Sequence, residues 1–377
     1  MKYRKYEVGN TELSLLGFGV MRLPVLEDGH TVDEEEAIRM IKYAADNGVN
    51  YFDTAWVYHG GESERVLGKA LAGGLREKVM IATKLPYWIL KDPSEMQVKF
   101  DESLERLGTS YIDNYLMHDI NDGRWDLVQD WKIFDFMSKL KEEGKIRFVG
   151  FSYHGETPAL FREVLDKYPW DFVQIQLNYM DTNIQAGLEG YEYAVKKGIP
   201  VVVMEPLKGG KLTDIMPATV KKHWDNLGKD WSPAEWALRW VANLPGITTI
   251  LSGMSTFAQV EENVRVLSEA EANALTESEL SIIAQAADEY RKLIAYPCTA
   301  CKYCMPCSAG IDIPLIMNFR NYKDVYGITG KISGEYNMFI DPKPDACVKC
   351  GKCEEECPQG LAIMQAMDET AEIYGKK

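Results

Sequence analysis

The sequence predicts an α/β protein in which a large (β/α)8 barrel is followed by a small cysteine-rich domain. Between about residues 16 and 270, short β-rich runs alternate with amphipathic helical stretches, the pattern of a parallel sheet covered by helices. Eight β-rich runs can be counted, which is the number that closes this kind of barrel. All eight cysteines lie at or after Cys298, so the chain changes character there.

The predicted strands follow one another at spacings that leave room for a helix between most of them. They cover residues 16–20, 50–53, 78–84, 112–118, 146–150, 172–176, 200–205 and 248–252. Predicted helices at 34–47 and 93–107 are followed by Gly48 and Gly108, and glycine readily adopts the left-handed conformation that ends a helix. No G-x-G-x-x-G motif follows an early strand, which favours a closed barrel over an open doubly wound sheet. Residues 1–15 are predicted to form a hairpin lid.

The charge balance argues against several classes of partner. The chain has 57 acidic and 42 basic residues, a formal net charge of -15 at pH 7. A surface of that sign repels the phosphates of nucleic acids and anionic lipids, so we expect neither as a partner. No apolar run of about 18 residues occurs, and residues 1–15 lack the apolar core of a signal peptide. We therefore expect a cytoplasmic protein without membrane attachment.

Four polar side chains fall where predicted strands end. Asp53 ends the second strand and Tyr58 follows in its loop, while Lys84 ends the third strand and His118 the fourth. Chemistry in a (β/α)8 barrel lies at the carboxyl ends of the strands, so these residues are expected at one mouth. Taken singly, each has a structural explanation as a helix cap, a packed ring, a solvated strand end or a core histidine. Their joint occurrence on three consecutive strands favours a functional site.

These four residue types suit the reduction of a carbonyl group. A tyrosine hydroxyl has a pKa near 10, so it donates a proton efficiently at neutral pH only when its neighbours tune it. A buried Lys84 ammonium is expected to lower the pKa of Tyr58, and Asp53 is expected to hold the lysine charged by ion pairing. His118 can orient the carbonyl oxygen on which negative charge accumulates.

The same residues carry a family resemblance. The motifs are YFDTA at 51–55 with Tyr58, GESE at 61–64, TK at 83–84, GFS at 150–152, Gln174, EPL at 205–207, Gly253 and EN at 262–263. With these motifs the chain resembles the aldo-keto reductases over roughly residues 5–270. The resemblance implies a TIM (β/α)8 barrel in which Asp53, Tyr58, Lys84 and His118 form the catalytic tetrad.

The resemblance also implies a nicotinamide coenzyme, NADP(H) or NAD(H), extended across the barrel mouth. Ser152 and Gln174 fall where the family contacts the nicotinamide carboxamide, and Met204 falls where an aromatic residue often stacks on the ring. Further implied coenzyme-binding positions are Glu205, Pro206, Leu207, Gly209, Gly253, Gln259, Glu262 and Asn263. Residues 252–256 contain no Lys or Arg where many members hold the 2′-phosphate, and Arg265 is the nearest cation. The choice between NADP and NAD therefore stays open, with a lean towards NADP.

The cysteines occur in two dense runs near the C-terminal end of the sequence. The runs are Cys298-x2-Cys301-x2-Cys304-x2-Cys307 and Cys347-x2-Cys350-x2-Cys353-x3-Cys357-Pro358. Both resemble bacterial ferredoxin motifs, which hold two 4Fe-4S clusters and in which the fourth cysteine of each run binds the other cluster. The resemblance thus assigns Cys298, Cys301, Cys304 and Cys357 to one cluster, and Cys347, Cys350, Cys353 and Cys307 to the second. Zinc sites are the alternative, although they usually show paired C-x2-C knuckles with a spacer.

We therefore expect residues 1–290 to form an aldo-keto reductase-like barrel and residues 291–377 a small α-helical, ferredoxin-like iron-sulfur domain. The expected function is reduction of a small aldehyde or ketone by NAD(P)H with Tyr58 as the proton donor, the clusters transferring electrons to or from a redox-partner protein. Hydride carries two electrons whereas each cluster passes one, and no flavin fingerprint is visible. Three possibilities stay open: an unrecognised flavin in the barrel, electrons that reach the substrate without nicotinamide, or clusters that take no part in turnover. The alternative is an electron-transfer or redox-sensing protein with a non-catalytic barrel and structural clusters.

Overall fold

A computed structural model describes residues 1–213, 215–225, 228–298 and 301–375. Two compact units are present, Met1–Gly210 with Trp231–Glu277, and Lys211–Asp230 with Ser278–Lys377. The segment 211–230 and nearly the whole helix before the first cysteine thus group with the cysteine-rich part of the chain. The domain division expected at 290/291 stays a prediction. Within the described residues, no helix is both long and apolar enough to cross a membrane.

The first unit contains all the strands that the structure describes. They are β1 Tyr3–Tyr6, β2 Thr11–Ser14, β3 Leu16–Gly19, β4 Tyr51–Asp53, β5 Met80–Leu85, β6 Ile112–Ile120, β7 Ile146–Tyr153, β8 Phe172–Gln176, β9 Val201–Met204 and β10 Ile247–Gly253. Strands β3 to β10 close a parallel barrel in chain order, with β10 paired to both β9 and β3. The eight predicted barrel strands are confirmed, with ends shifted by up to a few residues.

Helices alternate with the barrel strands and continue through the second unit. They are α1 Glu34–Asp46, α2 Glu62–Leu71, α3 Glu95–Leu107, α4 Trp125–Asp130, α5 Ile133–Glu142, α6 Pro158–Lys167, α7 Gly187–Lys196, α8 Ala218–Asp225, α9 Pro233–Ala242, α10 Phe257–Glu269, α11 Glu277–Lys292, α12 Ile313–Tyr326, α13 Gly330–Phe339, α14 Lys352–Glu355 and α15 Ile363–Tyr374. The helix ends follow local chemistry. Asp33 caps α1 by accepting from the Glu36 amide at 3.1 Å, and Gly108 ends α3 with φ 61°.

The N-terminal hairpin closes the barrel at the amino ends of its strands. Tyr6 is fully buried among interior residues, including Phe148 and Phe172, whose rings meet it edge-on at centroid distances of 5.2 and 6.4 Å. Its hydroxyl donates to Asn114 Oδ1 at 3.1 Å. Arg4 fixes the hairpin by donating to main-chain carbonyls that precede or begin β10. The hairpin therefore covers the end of the barrel opposite the tetrad.

The second unit is helical in its described residues, as predicted for the C-terminal domain. Helices α12 and α15 pack together, and the Tyr374 hydroxyl donates to the Phe319 carbonyl at 2.9 Å. Arg320 on α12 pairs with Glu369 on α15. Lys211, at the start of the inserted segment, is buried and pairs with Glu335 at 2.7 Å. This ion pair fixes the segment to the helices of its own unit.

Replacing the buried Tyr6 tests the role of the hairpin in barrel stability. Tyr6→Ala is expected to lower the free energy of unfolding by about 3–5 kcal/mol, because it removes a large buried ring and leaves a cavity. Tyr6→Phe is expected to cost about 1 kcal/mol through the lost hydrogen bond. Urea unfolding followed by tryptophan fluorescence gives both values. Val8→Ala, at a position 40% exposed in the same hairpin, is the control. A Tyr6→Ala variant as stable as that control would contradict the conclusion that the buried Tyr6 ring stabilises the barrel.

Candidate functional site

The buried ion pair Lys84–Asp53 lies at the carboxyl end of the barrel. Strands β4 and β5 are paired so that Asp53 lies opposite Ala82. Lys84 lies two residues beyond Ala82, and its side chain is therefore on the same face of β5 as that of Ala82. Lys84 is 0% exposed, and its ammonium donates to Asp53 Oδ1 at 2.7 Å and to the Thr54 carbonyl at 2.5 Å. A charge at such a depth requires partners of this kind, because desolvation of an unpaired ammonium is very costly.

Tyr58 and His118 lie beside this ion pair. The loop after β4 returns Tyr58 to the mouth, where Lys84 Nζ lies 4.9 Å from the centroid of its ring. The His118 ring, from β6, meets the Tyr58 ring edge-on at a centroid distance of 5.8 Å. His59 and Gly60 follow with φ angles of 48° and 63°, which turn the chain sharply into α2. The structure thus brings all four residues of the predicted tetrad together.

The pKa values within the tetrad are set mainly by burial. Burial raises the pKa of Tyr58, and the Lys84 ammonium opposes that rise only in part. The pKa of Lys84 is nevertheless raised, because the Asp53 carboxylate and Tyr58 outweigh the effect of burial. Burial raises the pKa of Asp53, against the pull of Lys84. Lys84 lowers the pKa of Tyr58 as the sequence predicted, but burial has the larger effect and the net pKa is raised.

His118 is held in its neutral form. Burial lowers its pKa well below the usual value, and the nearby basic side chains of Lys84, His154 and Arg124 lower it further. Its Nδ1 is buried without a hydrogen-bond partner, and the Trp88 ring lies edge-on at a centroid distance of 4.9 Å. A neutral imidazole has one N–H to donate, so this residue can hydrogen-bond an oxygen placed in the mouth.

The residues implied for the carboxamide lie on neighbouring strands. Ser152 on β7 is paired in register with Gln174 on β8, and both are buried. The Ser152 hydroxyl accepts from the Asp119 amide at 2.8 Å, while Gln174 Nε2 donates to the Met204 sulfur at 3.5 Å. Gln174 Oε1 is buried and has no partner. A buried acceptor of this kind is costly unless a bound group satisfies it.

The three implied coenzyme residues on α10 have hydrogen-bond partners within the protein. Gln259 Oε1 accepts from the amides of Ser255 and Thr256, which completes the capping box of α10. Glu262 accepts from the Ser232 hydroxyl at 2.5 Å. Asn263 is buried and donates to the Ser252 hydroxyl at 2.9 Å. These side chains shape the loop after β10, and a coenzyme role for them stays a prediction.

The remaining implied positions follow β9 and end β10. Glu205 and Gly209 have φ angles of 55° and 63°, Pro206 is buried, and Leu207 packs against the core. Gly253 ends β10. Arg265, the nearest cation in sequence, is paired with Glu235 at 2.7 Å.

Sequence reasoning missed three charged or titratable residues at this end of the barrel. Arg22 follows β3 and reaches Glu205 at 3.7 Å. Arg124 pairs with Asp119 and lies 4.3 Å from the centroid of the Trp88 ring. The pKa of His154 is lowered by burial. Each follows a barrel strand, and this position was the one signal in the sequence that could have pointed to them.

The described part of the chain forms no disulfide bonds between its eight cysteines, and they line two cavities of the second unit. The first cavity is lined by Cys298, Cys301, Cys304 and Cys357, together with the apolar side chains of Ile313, Met317 and Ile363. The second is lined by Cys307, Cys347, Cys350 and Cys353, and Cys304 lines it as well. The grouping is the one that crossed ligation requires, since the last cysteine of each run lies with the other run. Thiols spaced around a cavity suit a cluster of several atoms.

Comparison with known families agrees with this architecture. The sequence model of the Aldo/keto reductase family matches residues 15–288, and that of the 4Fe-4S dicluster domain matches residues 297–363. The first match covers well over half of the chain. The chain therefore belongs to the aldo/keto reductase family and carries a C-terminal 4Fe-4S dicluster domain.

Two named relatives match most of the chain. L-galactose dehydrogenase of Arabidopsis thaliana is 33% identical over 302 residues, which cover 73% of this chain and 91% of that protein. NADH-specific methylglyoxal reductase of Escherichia coli is 28% identical over 316 residues, 70% of this chain and 93% of that protein. Both names describe oxidoreductases, in agreement with the family.

Solved structures show the same barrel. The holo form of aldo-keto reductase AKR11C1 from Bacillus halodurans has a TM-score of 0.64 and 27% identity, and the match covers 76% of this chain and 96% of that one. An aldo/keto reductase from Klebsiella pneumoniae in complex with NADP and acetate has a TM-score of 0.59 and 24% identity, and the match covers 74% and 92%. At that identity the second likeness supports the fold alone.

Removing one partner of the buried ion pair tests its electrostatic role. Asp53→Asn is expected to lower the free energy of unfolding by about 3–5 kcal/mol, because it leaves the Lys84 ammonium buried without its counter-charge. The double variant Asp53→Asn/Lys84→Met is expected to recover part of that loss, since it removes the stranded charge. Urea unfolding at pH 7 measures both. The single variant Lys84→Met completes the cycle, and if the double variant loses the sum of the two single effects, the two residues do not act as a pair.

Proposed function

We propose that this protein reduces an aldehyde or ketone with NAD(P)H, and that Tyr58 donates the proton. The observation that carries the proposal is the convergence of Tyr58 and His118 on the buried Lys84–Asp53 pair at the carboxyl end of the barrel. Acid-base groups tuned by burial and by a fixed charge are characteristic of catalytic sites. The proposed substrate is a small carbonyl compound, and the lean towards NADP over NAD is part of the proposal.

The mouth of the barrel fits a nicotinamide coenzyme. Gln174 Oε1 is a buried acceptor without a partner, and the Ser152 hydroxyl lies at the register position next to it. An acceptor and a hydroxyl side by side can hold a carboxamide, which has both N–H donors and a carbonyl acceptor. The reduced coenzyme supplies a hydride to the carbonyl carbon when it is bound.

The protein side chains handle the proton and the oxygen charge. A raised pKa keeps Tyr58 protonated at neutral pH, so its hydroxyl can donate to the carbonyl oxygen as negative charge develops there. Lys84 stabilises the resulting tyrosinate, because its ammonium is fixed beside the ring and stays charged through Asp53. Neutral His118 donates its N–H to the same oxygen and orients the carbonyl group.

We further propose that the cysteine-rich unit holds two iron-sulfur clusters. Each set of four cysteines, Cys298/Cys301/Cys304/Cys357 and Cys307/Cys347/Cys350/Cys353, would hold one [4Fe-4S] cluster. Cys301 and Cys350 are exposed, which would leave one edge of each cluster near solvent and within reach of a redox-partner protein. Free thiols of this kind suit a reducing compartment, and we place the protein in the cytoplasm.

The electron count is consistent with two clusters acting together. A hydride is equivalent to two electrons and a proton, whereas each cluster accepts one electron in a step. Two clusters in one chain thus have the capacity that one hydride equivalent requires. The rival function, redox sensing by a barrel without turnover, predicts a cluster-loaded protein that reduces no carbonyl compound.

Tyr58→Phe is the variant that tests the proton donor. It is expected to lower kcat for carbonyl reduction by about 10²–10⁴-fold, because the hydroxyl that protonates the oxygen is gone while the ring remains. The affinity for NAD(P)H is expected to stay unchanged. Steady-state rates with a panel of small aldehydes and ketones provide the measurement.

The matched control is Tyr3→Phe, which removes a hydroxyl from the hairpin at the other end of the barrel. Its kcat should equal that of the unchanged protein. Full activity in Tyr58→Phe would overturn the mechanism. A protein that carries clusters and binds coenzyme but reduces no member of the panel would favour the redox-sensing alternative.

Single cysteine replacements test the clusters and their crossed ligation. The intact protein, purified without oxygen, is expected to hold about eight iron atoms and to accept about two electrons, one for each cluster. Cys307→Ser and Cys353→Ser are both expected to impair the same cluster, as shown by the same change in the electron paramagnetic resonance spectrum after reduction. Cys357→Ser should share its altered spectrum with Cys298→Ser instead. Zinc in place of iron, or a spectral pairing of Cys307 with Cys298, would overturn the assignment.

A further inference from the structure

Arg22 lies where three loops of the barrel mouth meet. It follows β3, and its guanidinium reaches Glu205, which follows β9, at 3.7 Å between Nη2 and Oε1. Its main-chain carbonyl accepts from the Ser255 hydroxyl, just after β10, at 2.8 Å. The side chain and the main chain of this one residue therefore connect the ends of three strands that are neighbours in the closed barrel.

Two glycines create the space that Arg22 occupies. A Cβ atom on Gly209 would lie 2.9 Å from Arg22 Nη2, and one on Gly253 would lie 3.2 Å from Arg22 Cγ and Cδ. Real Cβ atoms seldom approach other groups so closely. The absence of side chains at both positions lets the stem of Arg22 lie against the β10 terminus, and its guanidinium against the loop after β9.

The ion pair of Arg22 with Glu205 is weak in its geometry. The separation of 3.7 Å exceeds the length of a good charge-assisted hydrogen bond, and both side chains are 30% exposed. Exposed pairs of this kind contribute little to stability. A guanidinium has five N–H donors in a fixed fork that matches phosphate oxygens, so a phosphate is a stronger partner than this distant carboxylate.

We propose that Arg22 binds a phosphate group of the nicotinamide dinucleotide and exchanges Glu205 for it. The proposal rests on the proposed coenzyme and adds the residue that holds its anionic part. Arg22 also supplies the cation that the stretch 252–256 lacks, because the guanidinium of Arg265 forms an ion pair with Glu235. Glu205 then acts as a competing anion, which the coenzyme displaces on binding.

Coenzyme binding to the intact protein, followed by quenching of tryptophan fluorescence, tests this exchange without turnover. Arg22→Gln is expected to weaken the binding of NADPH by roughly 10- to 100-fold, the equivalent of losing hydrogen bonds to a charged group. Arg22→Lys should lie between, because it keeps the charge but loses the fork. Glu205→Gln should strengthen binding by roughly two- to fivefold, because the competing carboxylate is gone.

The opposite directions of the two replacements distinguish ligand binding from a merely structural ion pair, since breaking a structural pair from either side would weaken binding. Arg65→Gln, which removes an exposed arginine that pairs with Glu62 within α2, is the control and should bind as the intact protein does. Circular dichroism checks that each variant is folded. If Arg22→Gln does not fold, the coenzyme affinities of Arg22→Lys and Glu205→Gln still decide whether Arg22 binds a coenzyme phosphate.

Parallel titrations with NADH identify the phosphate. If Arg22→Gln binds both NADH and NADPH more weakly than the intact protein does, Arg22 contacts the pyrophosphate. If it binds only NADPH more weakly, Arg22 contacts the 2′-phosphate. Binding of both coenzymes within twofold of the intact protein in Arg22→Gln and Arg22→Lys would overturn the inference and leave the proposed function standing. Unchanged or weaker binding in Glu205→Gln would overturn the exchange. An intact protein that binds neither coenzyme would refute the proposed function itself.

Discussion

The ammonium of Lys84, completely buried at the end of β5, imposes the main constraint on the barrel mouth. It needs a carboxylate and a carbonyl within hydrogen-bond distance, and Asp53 and Thr54 supply them from the end of β4. Parallel strands that end side by side provide this arrangement, because each strand contributes polar groups to one shared edge. The closed barrel, sealed at its other end by the N-terminal hairpin, keeps water from the pair and maintains the strength of its attraction.

The same charge influences the two neighbouring rings. For His118, burial and the Lys84 ammonium both disfavour the imidazolium, so the pKa falls and the ring stays neutral. For Tyr58, burial favours the neutral phenol, while Lys84 favours the tyrosinate. A hydroxyl that keeps its proton at rest, beside a cation that stabilises its loss, is a suitable general acid for a carbonyl oxygen. A single ammonium thereby prepares two different hydrogen-bond donors.

The two units achieve stability by different means. The barrel has a large apolar core between its strands and helices, and a second cluster of buried side chains fills the interior of the barrel. The cysteine-rich unit has a smaller core, and two of its apolar side chains, Ile313 and Ile363, line both cysteine cavities. A small domain of this kind commonly depends on its metal groups for stability. Apolar residues around the thiols also limit the access of water, which influences the reduction potential of a cluster.

Local patterns in the sequence were sufficient for the barrel, for the position of the tetrad and for the cysteine runs. Strand periodicity and helix-ending glycines act over a few residues, and a residue at a strand end faces the mouth in any barrel of this kind. The net rise in the pKa of Tyr58 could not be predicted, because it is a balance between burial and a charge from another strand. The ion pair between Arg22 and Glu205 could not be predicted either, nor could the hydrogen bonds of Gln259 and Asn263 around the loop after β10. These depend on distances between residues far apart in the chain, and only the closed barrel sets them.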